Sequence, residues 1–176
     1  MIEKTLVLVK PDGVERNLIG EIIATFERAQ IRVADIKMVQ ANEELLDNHY
    51  QSTPEWINGL GEKTLNSYKE LGFDIMSDLG TENPAEIGKQ VKKWLVDYMM
   101  SSKVVAMVLE GNNAIKNVRH IVGFTIPCDA DAGSIRGRFS SDSPDLANKE
   151  LRAIKNLVHA SGNKEEAEHE INLWFN

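Results

Sequence analysis

The sequence predicts an α+β fold in which helices cover one antiparallel β-sheet. Short runs rich in Val, Ile and Leu alternate with longer stretches of helical character, in the order β-α-β followed by α-β-α-β. The chain has 176 residues, of which 42% are hydrophobic, and this suits one domain with a full core. We therefore expect a single domain over residues 1–176, a sandwich of helices against a four-stranded antiparallel sheet.

The first strand is expected at about residues 3–10, where the run TLVLV is β-branched and leucine-rich. Pro11 and Gly13 follow and favour a turn, because the residue before a proline stays extended. Further strands are expected at residues 31–40 and 103–110, and a short one ends at His159. Helices are expected at residues 19–29, 42–51, 87–101, 114–122 and from residue 163 onwards.

The last helix can be justified in detail. Asn163 is a good N-cap residue, and Glu166 three positions later completes a pair similar to a capping box. Ala167, Ile171 and Trp174 recur at helical spacing and predict the buried stripe. Glu170 flanks that stripe, where it is either an ordinary charge at the rim or a carboxylate that reaches a neighbouring group.

The candidate nucleophile is His159, which stands where an apolar strand stops. Ser161 places a hydroxyl two residues later, and Glu170 on the following helix can reach back to the imidazole. A nucleophilic histidine needs such an orienting carboxylate, so the set is a candidate catalytic centre. The alternative is a solvated or core histidine, which is the more common role of such a residue.

Candidate anion ligands occur at both ends of the chain. Lys10 shares a strand face with leucines and ends at the mouth of the core, where it could bind a phosphate. Arg119, Thr125 and Arg136 lie in or beside a region rich in Gly and Pro, and loops of this kind bring backbone N–H groups close to anions. Taken separately, each of these residues is equally explained as a solvated surface group.

Together, these residues in this order strongly resemble a nucleoside diphosphate kinase. The resemblance is carried by these segments: TLVLVKPDGVER (5–16), IGEII (19–23), HY (49–50), VVAMVLEG (104–111), GSIRG (133–137), NLVHAS (156–161) and AEHEINLWF (167–175). It spans both ends and most of the chain. The combination is highly specific, although no single segment is.

The resemblance implies a ferredoxin-like core and a ping-pong phosphoryl transfer. His159 would accept the γ-phosphoryl group of a nucleoside triphosphate and pass it to a nucleoside diphosphate, while Glu170 and Ser161 orient the imidazole. The residues that match positions around the phosphates and ribose are Lys10, Tyr50, Arg119, Thr125, Arg136 and Asn156. The resemblance also implies Mg²⁺ held mainly by the nucleotide phosphates and water, and a homo-oligomer, a hexamer in the family.

The chain departs from the family pattern in three places. Gly162 stands where the family usually has an acidic residue. The aromatic residue on which the family stacks the base is matched by Val91, and Trp94 is a nearby aromatic that could compensate. Extra residues occur at about 54–88 and 138–153.

The first extra segment does not have the composition of a disordered linker. It contains many large apolar residues, among them Leu65, Tyr68 and Leu71 at helical spacing. We expect a packed helical excursion bounded by Gly59 and Gly61 and by Gly72. The second segment is polar at residues 140–144 and helix-prone from 145 to 154. Either segment would cover the site or build an oligomer contact.

Charge and composition exclude several classes of function. The net charge of −7, without any block of Lys or Arg, argues against general binding of nucleic acid. The single cysteine, Cys128, allows no intrachain disulfide and no cysteine metal cluster. We see neither a signal peptide nor an apolar run long enough to span a membrane, so we expect a cytoplasmic protein.

Two other classes of function stay open at this stage. One is a relative that binds nucleotides as a regulatory module without transferring phosphate, and Gly162 and Val91 would then be signs of decay. A protein that only binds nucleotides does not need His159 and Glu170. The other is a ferredoxin-like binding or assembly domain, for which the histidine, serine and carboxylate would have to coincide by chance.

Overall fold

The computed structural model describes residues 2–50 and 52–176. Its strands are β1 (Ile2–Val9), β2 (Arg32–Gln40), β3 (Lys103–Asn112) and β4 (Val158–Ala160). Its helices are α1 (Pro11–Glu15), α2 (Ile19–Arg28), α3 (Glu43–His49), α4 (Pro54–Leu71), α5 (Ile75–Leu79), α6 (Pro84–Met100), α7 (Ala114–Val122), α8 (Ile135–Phe139), α9 (Pro144–Lys149) and α10 (Lys164–Phe175), with one 3₁₀ turn at Pro127–Asp129.

The four strands form one antiparallel sheet in the order β2-β3-β1-β4. Strand β1 is central, and its residues alternate between two apolar layers. Val7 and Val9 pack in the layer that contains Phe26 of α2. Leu6 and Leu8 pack in the layer on the other face, which α3, α6 and α10 complete. The predicted α+β sandwich with a ferredoxin-like core is confirmed.

Two predicted boundaries differ from the structure. Pro11 does not end the chain's regular structure in a turn but begins α1, because proline is well suited to the first position of a helix. Helix α6 begins three residues earlier than expected, since Pro84 takes the first helical position. There, the side chain of Asn83 accepts a hydrogen bond from the N–H of Ala85.

The first extra segment folds as a helical hairpin, made of α4, α5 and the start of α6. Its own apolar cluster is centred on Tyr68, which is fully buried, and on Ile87. Gly59 and Gly61 do not interrupt α4, which continues until Gly72 ends it with a φ of 69°. The segment is a packed helical excursion as expected, and Gly72 bounds it, but its first helix begins at Pro54 and not after Gly61.

The second extra segment contains a shorter helix than expected. Helix α9 ends at Lys149, and Leu151 then has a φ of 50°. The guanidinium group of Arg152 donates to both carboxylate oxygens of Asp142, over 2.7 and 2.9 Å. This pairing favours a turn where the composition favoured four or five more helical residues.

The hairpin allows a first prediction about stability. A Cβ atom on Gly88 of α6 would lie 1.9 Å from the carbonyl oxygen of Ile57 in α4. Gly88→Ala is therefore expected to lower the free energy of unfolding by about 1–3 kcal/mol through overpacking. Gly59→Ala is the matched control, because a Cβ atom there meets nothing within 4 Å and should stabilise α4 by roughly 0.5–1 kcal/mol. Urea unfolding of both variants measures the difference, and equal stability would contradict close helix packing.

Candidate active site

The two ends of the chain meet beside β4. His159 pairs with Leu8 across the sheet, and the N–H of Lys10 donates to the carbonyl of Leu157 over 2.8 Å. Leu157 has a φ of 67°, an uncommon conformation for a branched residue, and it turns the chain into β4. This local geometry places the end of β1 directly beside the candidate nucleophile.

The imidazole of His159 is held by a carboxylate. Its Nε2 lies 2.9 and 3.0 Å from the two carboxylate oxygens of Glu170. The hydroxyl of Ser161 also donates to Glu170, over 2.6 Å, and accepts a hydrogen bond from the N–H of Leu6. Since a carboxylate only accepts hydrogen bonds, Nε2 carries the proton and Nδ1 has the free lone pair.

Glu170 is not a charge at the rim, since only 5% of the residue is exposed. Burial raises the pKa of this carboxyl, but the hydrogen bond from His159, the attraction of both histidines and the hydrogen bond from Ser161 outweigh it. The net pKa is lowered, so the carboxylate is ionised where the protein is neutral or weakly acidic. The predicted stripe of α10 is found beside it, with Ala167 and Trp174 buried and Ile171 partly buried.

A second histidine, His49, lies behind His159; it belongs to one of the matching sequence segments, but no role was assigned to it from the sequence. The ring of His49 meets that of His159 edge to face, with 4.6 Å between centroids. Its Nδ1 accepts a hydrogen bond from the indole N–H of Trp174 over 3.3 Å. Burial, followed by electrostatic repulsion from His159, lowers the pKa of His49 to about 3, so this ring stays neutral.

Tyr50 packs against His49 on the side away from the cleft. Its ring lies 5.0 Å from that of His49, edge to face, and stacks on Trp56 at 6.1 Å. Burial and the charge of Glu170 raise the pKa of Tyr50, so the phenol stays protonated. In the described residues, Tyr50 does not line the open cleft, and its predicted place in the site around the phosphates and ribose stays a prediction.

A cleft of about 220 Å³ opens in front of His159. It brings together six of the residues predicted for the site: Lys10, Arg119, Thr125, Arg136, Asn156 and His159. The other lining residues are Val122, Gly123, Ala160 and Glu166. The side chain of His159 keeps 25% of its surface exposed, so a ligand in the cleft can reach it. The cleft thus combines three basic side chains with one nucleophile.

Lys10 is almost completely buried, yet it carries the ammonium group at the floor of the cleft. Its Nζ donates to the amide oxygen of Asn156 over 2.7 Å. Burial, followed by the charge of Arg136, lowers the pKa of Lys10, Asp12 partly opposes both, and the net pKa is about 7. An ammonium ion that has lost its water in this way gains more from an anionic ligand than a solvated one does.

This environment predicts an effect on stability. Because the pKa of Lys10 is depressed from 10.5 to about 7, the unfolded chain binds more protons than the native one between these values. The buried charge is therefore destabilising below pH 7, and stability recovers as the pH rises towards 10. Lys10→Met is expected to raise the free energy of unfolding at pH 6.5 by more than about 1 kcal/mol, and by less at pH 9.5. Urea titrations at both pH values measure this, with Lys103→Met, at an exposed position, as the control. An equal effect at both pH values would contradict it.

Arg136 is a structural anchor as well as a cation of the cleft. Its guanidinium donates to three backbone carbonyls, those of Asn156 at 3.1 Å, Gly123 at 3.0 Å and Val158 at 2.7 Å. Arginine has five N–H donors, so two are left for a ligand. Burial, followed by the charge of Arg119, lowers the pKa of Arg136 to about 10, and the group stays protonated at neutral pH.

The remaining predicted ligands lie at the rim or join the loops. Arg119 and Thr125 are exposed at the edge of the cleft. The side-chain amide of Asn156 forms two hydrogen bonds. Its oxygen accepts from Lys10, and its nitrogen donates to the carbonyl of Thr125 over 2.9 Å. Asn156 therefore fixes the lysine and the Thr125 loop relative to each other.

Two further residues brace the turn before the nucleophile. The hydroxyl of Tyr98 donates to Asp12 over 2.5 Å, and the other oxygen of this carboxylate accepts the N–H of Leu157 over 3.2 Å. Burial and the charge of Asp12 raise the pKa of Tyr98. The hydrogen bond between Tyr98 and Asp12 forms because α6 packs close to α1. It could not be predicted from the sequence, in which the two residues are 86 positions apart.

Val91, the residue matched to the aromatic that stacks on the base, lies outside the cleft in front of His159, and its contact with a base stays a prediction. Val91 packs against the apolar cluster of the hairpin, together with Trp94. Neither side chain belongs to the lining of the cleft within residues 2–50 and 52–176. The physical reason is that the hairpin needs the inner face of α6 to close its own core.

The cleft does not form a cage for a hard cation. Mg²⁺ requires about six oxygen ligands, and the described lining provides one carboxylate, Glu166. His49, His159 and Glu170 have ligand atoms within 4.8 Å of one another, but two of these donors are imidazole nitrogens, which suit softer metals. A magnesium ion in this cleft would have to bring most of its oxygen ligands from a bound molecule and water.

The geometry of His159 and its neighbours is suited to one kind of reaction. An imidazole that carries its proton on Nε2, next to an ionised carboxylate, presents the Nδ1 lone pair as a nucleophile. Basic side chains surround the place where an electrophile would sit and would neutralise negative oxygens on it. The cleft is therefore suited to receive a phosphoryl group on His159.

Comparisons with known proteins agree with this geometry. The sequence model of the nucleoside diphosphate kinase family matches residues 3–56 and 84–176, so that most of the hairpin lies outside the match. The chain is 49% identical to a nucleoside diphosphate kinase of Pyrobaculum aerophilum, over 99% of this chain and 95% of the relative. It is 37% identical to the enzyme of Pyrococcus horikoshii, over 98% of this chain and 85% of the relative.

Solved structures give the same result. The crystal structure of an NDP kinase from Pyrobaculum aerophilum superposes with a TM-score of 0.97, at 47% identity, over 100% of this chain and 97% of the other. A transition-state mimic of nucleoside-diphosphate kinase from Borrelia burgdorferi, with bound vanadate and ADP, superposes with a TM-score of 0.77 at 32% identity. It covers 99% of this chain and 88% of the other. By sequence and by structure, this chain belongs to the nucleoside diphosphate kinase family.

Proposed function

We propose that the protein is a nucleoside diphosphate kinase that transfers the γ-phosphoryl group of a nucleoside triphosphate, typically ATP, to a nucleoside diphosphate through a phosphohistidine on His159. One observation carries the proposal. The imidazole is held through Nε2 by the buried carboxylate of Glu170, while a cleft with three basic side chains opens in front of it. This is the arrangement that a histidine nucleophile for phosphate chemistry requires.

In the first half-reaction, the Nδ1 lone pair of His159 attacks the γ-phosphorus. The bond between this phosphorus and the β–γ bridging oxygen breaks, and the nucleoside diphosphate leaves with the electron pair. The imidazole gains positive charge as the P–N bond forms. Glu170 stabilises that charge because it is ionised and accepts a hydrogen bond from the Nε2–H, and Ser161 keeps the carboxylate in place.

The second half-reaction reverses these steps with another nucleotide. A terminal phosphate oxygen of the incoming nucleoside diphosphate attacks the phosphohistidine phosphorus. The P–N bond breaks and returns its electron pair to Nδ1, which restores the neutral ring. No proton has to enter or leave His159 in the cycle, so Glu170 acts as a fixed charge throughout.

The basic residues supply the electrostatic part of the catalysis. Lys10, Arg119 and Arg136 face the oxygens that carry charge as phosphate is transferred, and the Thr125 hydroxyl can donate to them. Asn156 positions Lys10. Mg²⁺ would arrive with the nucleotide phosphates and neutralise their charge further, which agrees with the scarcity of oxygen ligands in the cleft.

Labelling with γ-labelled ATP tests the proposal. The protein should become labelled, the label should be lost in acid and retained in alkali, and any nucleoside diphosphate should remove it. A label that is stable in acid would place the phosphate on another residue type and contradict the phosphohistidine. Tight nucleotide binding without any label would instead identify a binding module.

The assembly and location of the protein are part of this proposal. We propose that the whole chain is one catalytic domain that functions as a cytoplasmic homo-oligomer, a hexamer by resemblance. Strand β2 lies at the sheet edge with Ile36 46% and Met38 50% exposed, which supports contact between copies. Residues 2–50 and 52–176 contain no helix that could cross a bilayer. Light scattering after gel filtration would give the number of copies.

A further inference from the structure

One side chain in the cleft does not fit a site made only for phosphate. Glu166 lines the cleft together with Lys10, Arg119 and Arg136. Within residues 2–50 and 52–176 it forms no ion pair with any of these cations. Like charges repel strongly at contact distance, so a bare carboxylate here would oppose the binding of a polyphosphate. Its capping of α10 explains its position, but its negative charge in the cleft has to be offset when a polyphosphate binds.

The carboxylate of Glu166 is held in a fixed position. One oxygen accepts the N–H of Gly162 over 2.7 Å, and the other accepts the side-chain amide of Asn163 over 3.0 Å. The N–H of Glu166 itself donates to the Asn163 amide oxygen over 2.8 Å. The side chain is thus folded back over the first turn of α10, towards β4.

Gly162 leaves the space that this conformation needs. A Cβ atom at residue 162 would lie 2.8 Å from the Glu166 carboxylate, closer than real Cβ atoms approach an oxygen. A larger residue at 162 would therefore push Glu166 out of this position. The chain has the carboxylate of residue 166 at the place where a side chain of residue 162 would project.

The location of Glu166 indicates what it meets. It shares the cleft with His159 and Ala160, so it lies at the end where phosphoryl transfer takes place. A carboxylate stabilises a polyphosphate only when a cation lies between them. Magnesium bound to a nucleotide keeps several water molecules, and these polarised waters are strong hydrogen-bond donors.

We propose that Glu166 accepts hydrogen bonds from the water molecules of nucleotide-bound Mg²⁺ and thereby makes the site selective for the magnesium complex over the free nucleotide. This inference rests on the proposed function. It assigns the metal-facing carboxylate to residue 166, on α10. The protein contacts the ion through water and supplies no direct ligand.

Binding of ADP with Mg²⁺ and with EDTA tests the inference by calorimetry. In Glu166→Gln, the preference for the magnesium complex, measured as the ratio of the two dissociation constants, should fall about tenfold. The affinity for free ADP should stay the same or increase, because a repulsive charge is removed. The amide oxygen of glutamine can still accept the Gly162 N–H, and only the weaker hydrogen bond from Asn163 is lost. Glu165→Gln, on an exposed neighbouring position, is the matched control and should leave the ratio unchanged.

Two outcomes would overturn the inference. An unchanged ratio in Glu166→Gln would mean that the carboxylate does not sense the metal. An equal loss of affinity with Mg²⁺ and with EDTA would mean that Glu166 contacts the nucleotide itself, for example a ribose hydroxyl. Phosphohistidine labelling of the unmodified protein by γ-labelled ATP is independent of both results, so failure of this inference can be told apart from failure of the proposed function.

Discussion

Replacement of His159 by alanine is expected to abolish phosphoryl transfer, with a loss of more than about 10⁴-fold in turnover. The variant lacks the nucleophile, and Glu170 lies behind the imidazole, outside the described lining of the cleft. Binding of ADP with Mg²⁺ should stay within a few-fold, since Lys10, Arg119 and Arg136 are untouched. Single-turnover transfer from γ-labelled ATP and calorimetric titration with ADP measure the two quantities.

His169→Ala is the matched control for this experiment. His169 is an exposed histidine on α10, and its Nε2 lies 3.2 Å from the carbonyl of Asn48, away from the cleft. Its loss should leave both transfer and binding nearly unchanged. If the protein still carried an acid-labile label after His159→Ala, the nucleophile would have to be another histidine and our assignment would be wrong.

Glu170→Gln is expected to slow transfer by ~10²-fold while leaving ADP affinity nearly intact. The amide keeps the shape of the side chain and one acceptor for the Nε2 proton of His159, but the negative charge is lost. The lost electrostatic stabilisation matters only when positive charge develops on the ring. The variant is therefore expected to have a lower rate of transfer and an unchanged affinity for nucleotide. Single-turnover rates at saturating ATP isolate this step.

Glu168→Gln serves as the control, because Glu168 is an exposed carboxylate on the same helix with its side chain 68% exposed. It should transfer phosphate at the rate of the unmodified protein. A normal rate in Glu170→Gln itself would show that the charge of this carboxylate is not used in catalysis. A loss of ADP affinity equal to the loss of rate would point to a collapsed site.

The sequence was sufficient for most of the fold because the sheet is strongly patterned. The central run of β1 has five consecutive buried residues, Thr5–Val9, and this reads as a strand from composition alone. Helix α10 follows from its cap and its apolar stripe. The starts of α1 and α6 were missed because Pro11 was taken to favour a turn and Pro84 was not considered as a helix start, although proline is favoured at the first position of a helix.

The candidate site was predictable where its residues sit in one recognisable order along the chain. His159, Ser161 and Glu170 lie within twelve residues, and their spacing on a strand and the next helix already brings them together. Tyr98 and Asp12 were missed because their contact depends on how α6 packs against α1. The packing of Val91 in the hairpin core was not predictable for the same reason, since the packing of the hairpin decides which face of α6 is buried.

The order of the strands has a consequence for how the protein is made. Strand β1 needs β4 as its neighbour, and the N–H of Leu6 donates to the hydroxyl of Ser161, 155 residues further on. One edge of β1 therefore stays open during synthesis until residues 158–160 have left the ribosome. Closing so long a loop is slow, because the chain loses its entropy before the contacts form. When β4 pairs with β1, the nascent chain closes its two apolar layers and positions His159 in the same late step. A partly synthesised chain without β4 therefore has neither closed layers nor a catalytic histidine.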